Sequence, residues 1–224
     1  MPQETLDAVL EDWTTADVPK ETRAALSLLA CMTLRPMELD APFVEGLRES
    51  GLDDFKMREA AKVCFQYNLI TRIADAFDFP LLDGKQQARL AKVNNFVGKL
   101  LKGKDAAPLW TRSSDGRIRP PGVDRGWQTM LSTAGLTAPP LRRDVAAFVT
   151  AQWRLSDKDI PQLSDALATY LKKLSLYAYR ILDEEVDALR AEGYTDEMIY
   201  EITVVGAFAA ALVGLEQLFD VLYC

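Results

Sequence analysis

The sequence predicts an all-α fold built from a duplicated helical unit, and three observations carry that prediction. Residues 43–80 and 185–222 align without a gap at an offset of 142. The register pairs Val44 with Val186, Leu47 with Leu189, Arg48 with Arg190, Gly51 with Gly193, Asp54 with Asp196, Glu59 with Glu201, Val63 with Val205, Phe77 with Phe219 and Asp78 with Asp220. Each copy reads as a short helix, a glycine stop, an acidic restart and a long apolar helix. Finally, helical periodicity dominates the chain and period-two alternation is absent.

The elements follow in order. Leu6, Val9, Leu10 and Trp13 mark a first short helix. Pro19 opens a second over ETRAALSLLACMTL, and Pro36 closes it. A short helix over 40–50 stops at Gly51; Asp53 and Asp54 then begin the long helix to about Phe79, which Pro80 ends. Residues 84–103 read as a basic amphipathic helix with Leu90, Val93, Phe96, Val97, Leu100 and Leu101 on one side. Residues 105–126, rich in Pro, Gly and Ser, read as a loop, either functional or the seam between the halves. Helices follow near 126–133 and 139–153, then one from a Ser156/Asp159 capping box to about Ile181, then 183–192 and 195–222. The expectation is one pseudo-symmetric domain, with a first half at 1–104 and a second at 127–224.

Composition narrows the function. A hydrophobic content of 49% over 224 residues supports a full core. The net charge of −7 argues against nonspecific nucleic-acid binding. Residues 85–125, however, hold ten Lys or Arg against three Asp, which suits a solvated segment, an assembly surface or an anion-binding one. Cys31, Cys64 and Cys224 form no CxxC and predict reduced thiols. Histidine is absent, which removes the usual general base and the commonest metal ligand. No metal and no cofactor are expected. The first residues, MPQETLDAVLEDW, are acidic and lack the apolar core of a secretion signal. The longest apolar run, Ile202–Leu215, falls short of the roughly 20 residues of a membrane span. A cytoplasmic protein with a buried helix there is the expectation.

The first long helix carries an unusual strip. Cys64, Asn68, Thr71, Arg72 and Asp75 fall within a sector of about 100°, and apolar residues fill the rest apart from Gln66. Arg72 and Asp75 are spaced to pair. The strip is either the wall of a pocket or the thin exposed edge of a core helix. In the second copy Cys64, Asn68 and Arg72 become Gly206, Ala210 and Gly214, a ridge of small residues suited to close helix packing.

The segment VCFQYNLITRIADAFDFPL, residues 63–81, resembles the long-helix signature of the alkylhydroperoxidase D-like, or carboxymuconolactone decarboxylase, superfamily, whose members carry a phrase close to FNxxNRxADALGF. ETRAALSLLACMTLRPMELDAPFVEGLRESGLDD resembles the helices before it, and AYRILDEEVDALRAEGYTDEMIYEITVVGAFAAALVGLEQLF a weaker second version of the unit. Together they cover roughly half the chain. The resemblance implies an all-α homo-oligomer. It also implies, for the peroxidase branch, a CxxC pair, a histidine four residues after the second cysteine, and an upstream glutamate. Those places fall at Met37, Asp40 and Val44, and in the second copy at Tyr179, Leu182 and Val186. Glu21 matches the upstream acid loosely. The peroxide chemistry therefore does not transfer, and the decarboxylase branch also leans on a histidine.

Three functions compete. The leading one is a non-catalytic oligomer that binds a small anionic ligand or a partner through Asn68, Arg72 and Asp75, with Arg72 as anchor. The second is a single-thiol peroxidase using Cys64 or Cys31. The third is a proton-transfer or decarboxylase-type enzyme with Arg72 as carboxylate clamp and Asp75, Glu21 or Glu38 as acid or base.

Overall fold

The computed structural model describes residues 3–79, 111–113, 115–154 and 160–223. The basic helix expected over 84–103, the Pro80 stop, the Ser156/Asp159 capping box and Cys224 lie outside them.

The described residues are mostly helical. The helices are α1 (Gln3–Asp12), α2 (Lys20–Leu34), α3 (Ala41–Glu49), α4 (Asp54–Ala76), α5 (Pro121–Ser132), α6 (Pro139–Arg154), α7 (Asp165–Tyr177), α8 (Asp183–Ala191) and α9 (Asp196–Tyr223). Single 3-10 turns follow α2 (Pro36–Glu38) and α7 (Ala178–Arg180). Side chains set the starts: Asp40 accepts from the Phe43 N–H and Asp53 from the Lys56 N–H, each at 2.9 Å.

The offset of 142 recurs in the geometry. It carries the bounds of α3 onto those of α8, the start of α4 onto that of α9, and one 3-10 turn onto the other. Gly51 and Gly193 hold φ of 91° and 93°, where a side chain would be strained. Arg48 Nε donates to Asp54 at 2.9 Å, and Arg190 Nε to Asp196 at 2.8 Å. Each pair ties a short helix to the long one after it.

α9 is the core. It is apolar all round and is buried almost continuously from Ile199 to Phe219, against α2, α4, α6 and α7. The small ridge explains how its neighbours come so close. A Cβ on Gly206 would lie 2.8 Å from Leu174 Cδ2, and one on Gly214 2.6 Å from the Met32 carbonyl oxygen. By length and composition α9 could cross a membrane, since the helix extends well beyond the apolar run, yet 78% of its most apolar window is buried inside the protein.

Several expectations shift. Residues 111–112 and 118–119 form a two-stranded antiparallel hairpin, β1 and β2, inside the expected loop. α5 begins at Pro121, not near 126, because Pro120 is extended and Pro121 is preset for the first helical position. α7 begins at Asp165, where the Ser164 hydroxyl accepts from the Leu167 N–H, and it ends at Tyr177, short of Ile181. α4 ends at Ala76, and Asp78 turns at φ 46°.

Candidate functional site

The strip on α4 is not an exposed edge. Cys64 is buried and Asn68 and Arg72 are half-buried; only Thr71 and Asp75 face outward. The exposed face of α4 is apolar instead, with Val63 49%, Tyr67 66% and Ile70 61% exposed. Asn68 is the hub. Its Nδ2 donates to Thr33 Oγ1 at 3.0 Å and to Cys64 Sγ at 3.1 Å. Its Oδ1 accepts from Arg72 Nη1 at 2.7 Å, and Nη1 also reaches the Asn68 carbonyl. Arg72 Nε donates to the Ser175 carbonyl on α7 at 3.3 Å, and the guanidinium lies 6.0 Å from the Trp153 ring centroid.

The expected Arg72–Asp75 pair does not form. Spacing on the helix permits it, but Arg72 turns inward to neutral acceptors while Asp75 stays in solvent. Arg72 therefore carries a positive charge into the protein without a carboxylate at ion-pair distance among the described residues, and burial lowers its pKa. Two more donors in the same wall lack partners: the Trp153 indole N–H and the Ser175 hydroxyl, both buried. Ser175 is 1% exposed. These groups line a cavity of about 270 Å3 together with Thr33, Asn68, Asp75 and Tyr177. Arg180 stands nearby, stacked over the Tyr177 and Tyr179 rings.

The other candidates are elsewhere. Glu21 pairs with Lys56 and Glu38 with Arg35, both on the surface. Asp40 caps α3, and Val44 is 1% exposed in the core. Met37, Tyr179 and Leu182 are exposed. Burial pushes the Cys64 thiol up, against the hydrogen bonds of Thr33 and Asn68 and the charge of Arg72. Burial also raises Cys31, whose thiol donates to the Arg35 carbonyl at 3.4 Å.

Sequence reasoning missed Trp153 and Ser175. A signal for Ser175 was available: the offset of 142, extended upstream, pairs it with Thr33, so both copies place a hydroxyl there. Nothing in the spacing of Trp153 points to α4.

A second charged cluster accounts for part of the basic segment. Glu216, 5% exposed on α9, accepts from Arg119 Nε at 2.7 Å and Arg154 Nη2 at 3.2 Å. Arg119 also pairs with Asp115 and Asp124, and Arg117 with Asp220. A cavity of about 390 Å3 opens beside them. Every guanidinium there has a carboxylate at ion-pair distance, which Arg72 lacks among the described residues.

No family model, curated protein or solved structure matches the chain.

Proposed function

We propose that this chain is a divergent alkylhydroperoxidase D-like helical protein that binds a small anionic ligand at Arg72, without two-cysteine peroxidase chemistry. One observation carries the reading. A half-buried guanidinium without a counter-ion among the described residues, beside two buried donors without partners, is costly unless an anion completes it. The recurrence of bounds, glycine φ and ion pairs at the offset of 142 supports the duplicated unit. Met37, Asp40 and Val44 offer no thiol and no imidazole, and the Asp40 carboxylate caps α3. Cys64 and Cys31 are buried thiols whose pKa is raised, which disfavours the single-thiol alternative. Of the acids in the proton-transfer alternative, Asp75 lines the Arg72 cavity, whereas Glu21 and Glu38 pair with Lys56 and Arg35 away from it.

Homo-oligomer formation belongs to the same proposal. Ile70 on α4, 61% exposed, corresponds to Leu212 on α9, which is 3% exposed. A face covered in one copy and bare in the other invites a partner.

The test is an acetate titration followed at the Trp153 indole N–H by NMR, with Trp153→Phe assigning the peak. The expected result is a saturable shift that disappears in Arg72→Met while the helical circular dichroism persists. An acetate response unchanged by Arg72→Met would overturn the reading. Peroxide turnover with a thiol reductant, lost in Cys64→Ser, would replace it with the single-thiol enzyme.

A further inference from the structure

A second cavity, of about 390 Å3, adjoins the Arg72 cavity. Thr33, Asn68 and Thr71 line both, so the two meet along the seam between α2 and α4. Their chemistry differs. The Arg72 end offers one cation and the unpartnered donors of Trp153 and Ser175. The other end is walled by Leu29, Val63, Cys64 and Tyr67. Tyr67 is 66% and Val63 49% exposed there, an unfavourable arrangement for an apolar helix face.

We infer that the ligand is a monocarboxylate with an apolar tail, its head at Arg72, Trp153 and Ser175 and its tail along Leu29, Val63 and Tyr67. The inference rests on the anion-binding reading above and narrows it. Charge selects a monoanion. Among the described residues Arg72 is the one cation lining the head cavity, and Asp75 beside it opposes a second negative charge. Donor number selects a carboxylate over a phosphate. A guanidinium, one indole N–H and one hydroxyl suit two oxygens, and leave a third and fourth without partners. The apolar end then supplies affinity in proportion to the chain laid in it.

The test is an isothermal titration series of acetate, butyrate, hexanoate and octanoate, with inorganic phosphate and 1-octanol beside them. Affinity should rise about twofold to fourfold per methylene until the groove is filled. Phosphate and octanol should bind at least tenfold more weakly than octanoate. Val63→Asp, at an exposed position that leaves the fold intact, should cut octanoate affinity at least tenfold and leave acetate unchanged. Equal affinity along the series, or octanoate binding indifferent to Val63→Asp, overturns the tail site while the anion site stands. Octanol binding as tightly as octanoate overturns the head assignment. No binding of any carboxylate overturns both the inference and the reading beneath it.

Discussion

Gly214 lies where α9 crosses the backbone of α2, with a would-be Cβ 2.6 Å from the Met32 carbonyl oxygen. At the corresponding place in the first copy stands Arg72, which reaches across to the Ser175 carbonyl instead. One crossing is closed by backbone contact, and at the position 142 residues earlier a guanidinium stands beside a cavity instead.

Gly214→Ala should therefore destabilise the fold by about 1–3 kcal/mol, because a backbone oxygen cannot rotate away from the added methyl. Gly46, inside α3 with open space around it, is the control. Gly46→Ala should stabilise by about 0.5–1 kcal/mol through helix propensity alone. Urea midpoints with unchanged slopes report both.

Much of this was legible because it depends on local rules. Gly51, Gly193 and the acidic starts of α4 and α9 mark chain reversals that backbone geometry requires, and the repeat register located all of them. The ridge Gly206–Ala210–Gly214 announced close packing. The direction of the α4 strip was not legible. Helical periodicity groups Cys64, Asn68 and Arg72, but it does not say whether a narrow polar face looks out or in. Here Thr33 and the Ser175 carbonyl draw it inward, and both come from distant segments. The charge of residues 112–125 was visible, but not its neutralisation by Glu216 and Asp220 on α9.

Glu216→Gln tests that neutralisation. The carboxylate is buried among three guanidiniums, those of Arg117, Arg119 and Arg154. Removing its charge leaves them to repel one another in a partly dry setting. The expected loss is about 3 kcal/mol, the lower end for breaking a buried pair, since Asp115 and Asp124 still serve Arg119. A thermal midpoint equal to that of the unsubstituted protein would contradict this account.

Tyr170 and Thr203 share a buried hydrogen bond of 2.6 Å between α7 and α9. Burial pushes the Tyr170 hydroxyl up to about 12, against the pull of Thr203. An unfolded tyrosine ionises near about 10, so the folded protein holds this proton while the unfolded chain releases it. The stability linked to Tyr170 is intact below pH 10 and is lost as pH rises towards 12. Tyr170→Phe should cost about 1 kcal/mol at neutral pH, with Thr203 still bonded to the Ile199 carbonyl. Between pH 10 and 12 its urea midpoint should fall less than that of the unsubstituted protein. Parallel falls would show that the buried hydroxyl does not control this window.

Asn68→Asp separates stability from binding. The substitution places a carboxylate where Asn68 Oδ1 already accepts from Arg72 at 2.7 Å. Shape is nearly unchanged, and the half-buried guanidinium gains a counter-ion. The Thr33 hydroxyl can turn to donate, which replaces the lost amide contact. Stability should therefore rise by about 0.5–2 kcal/mol, as when a strained functional site is relieved. Acetate binding should fall at least tenfold, because Arg72 is neutralised and the new charge repels the ligand. Urea unfolding and the Trp153 indole titration measure the two effects on the same sample. If Asn68→Asp destabilises and leaves acetate binding intact, Arg72 is not an uncompensated charge waiting for an anion.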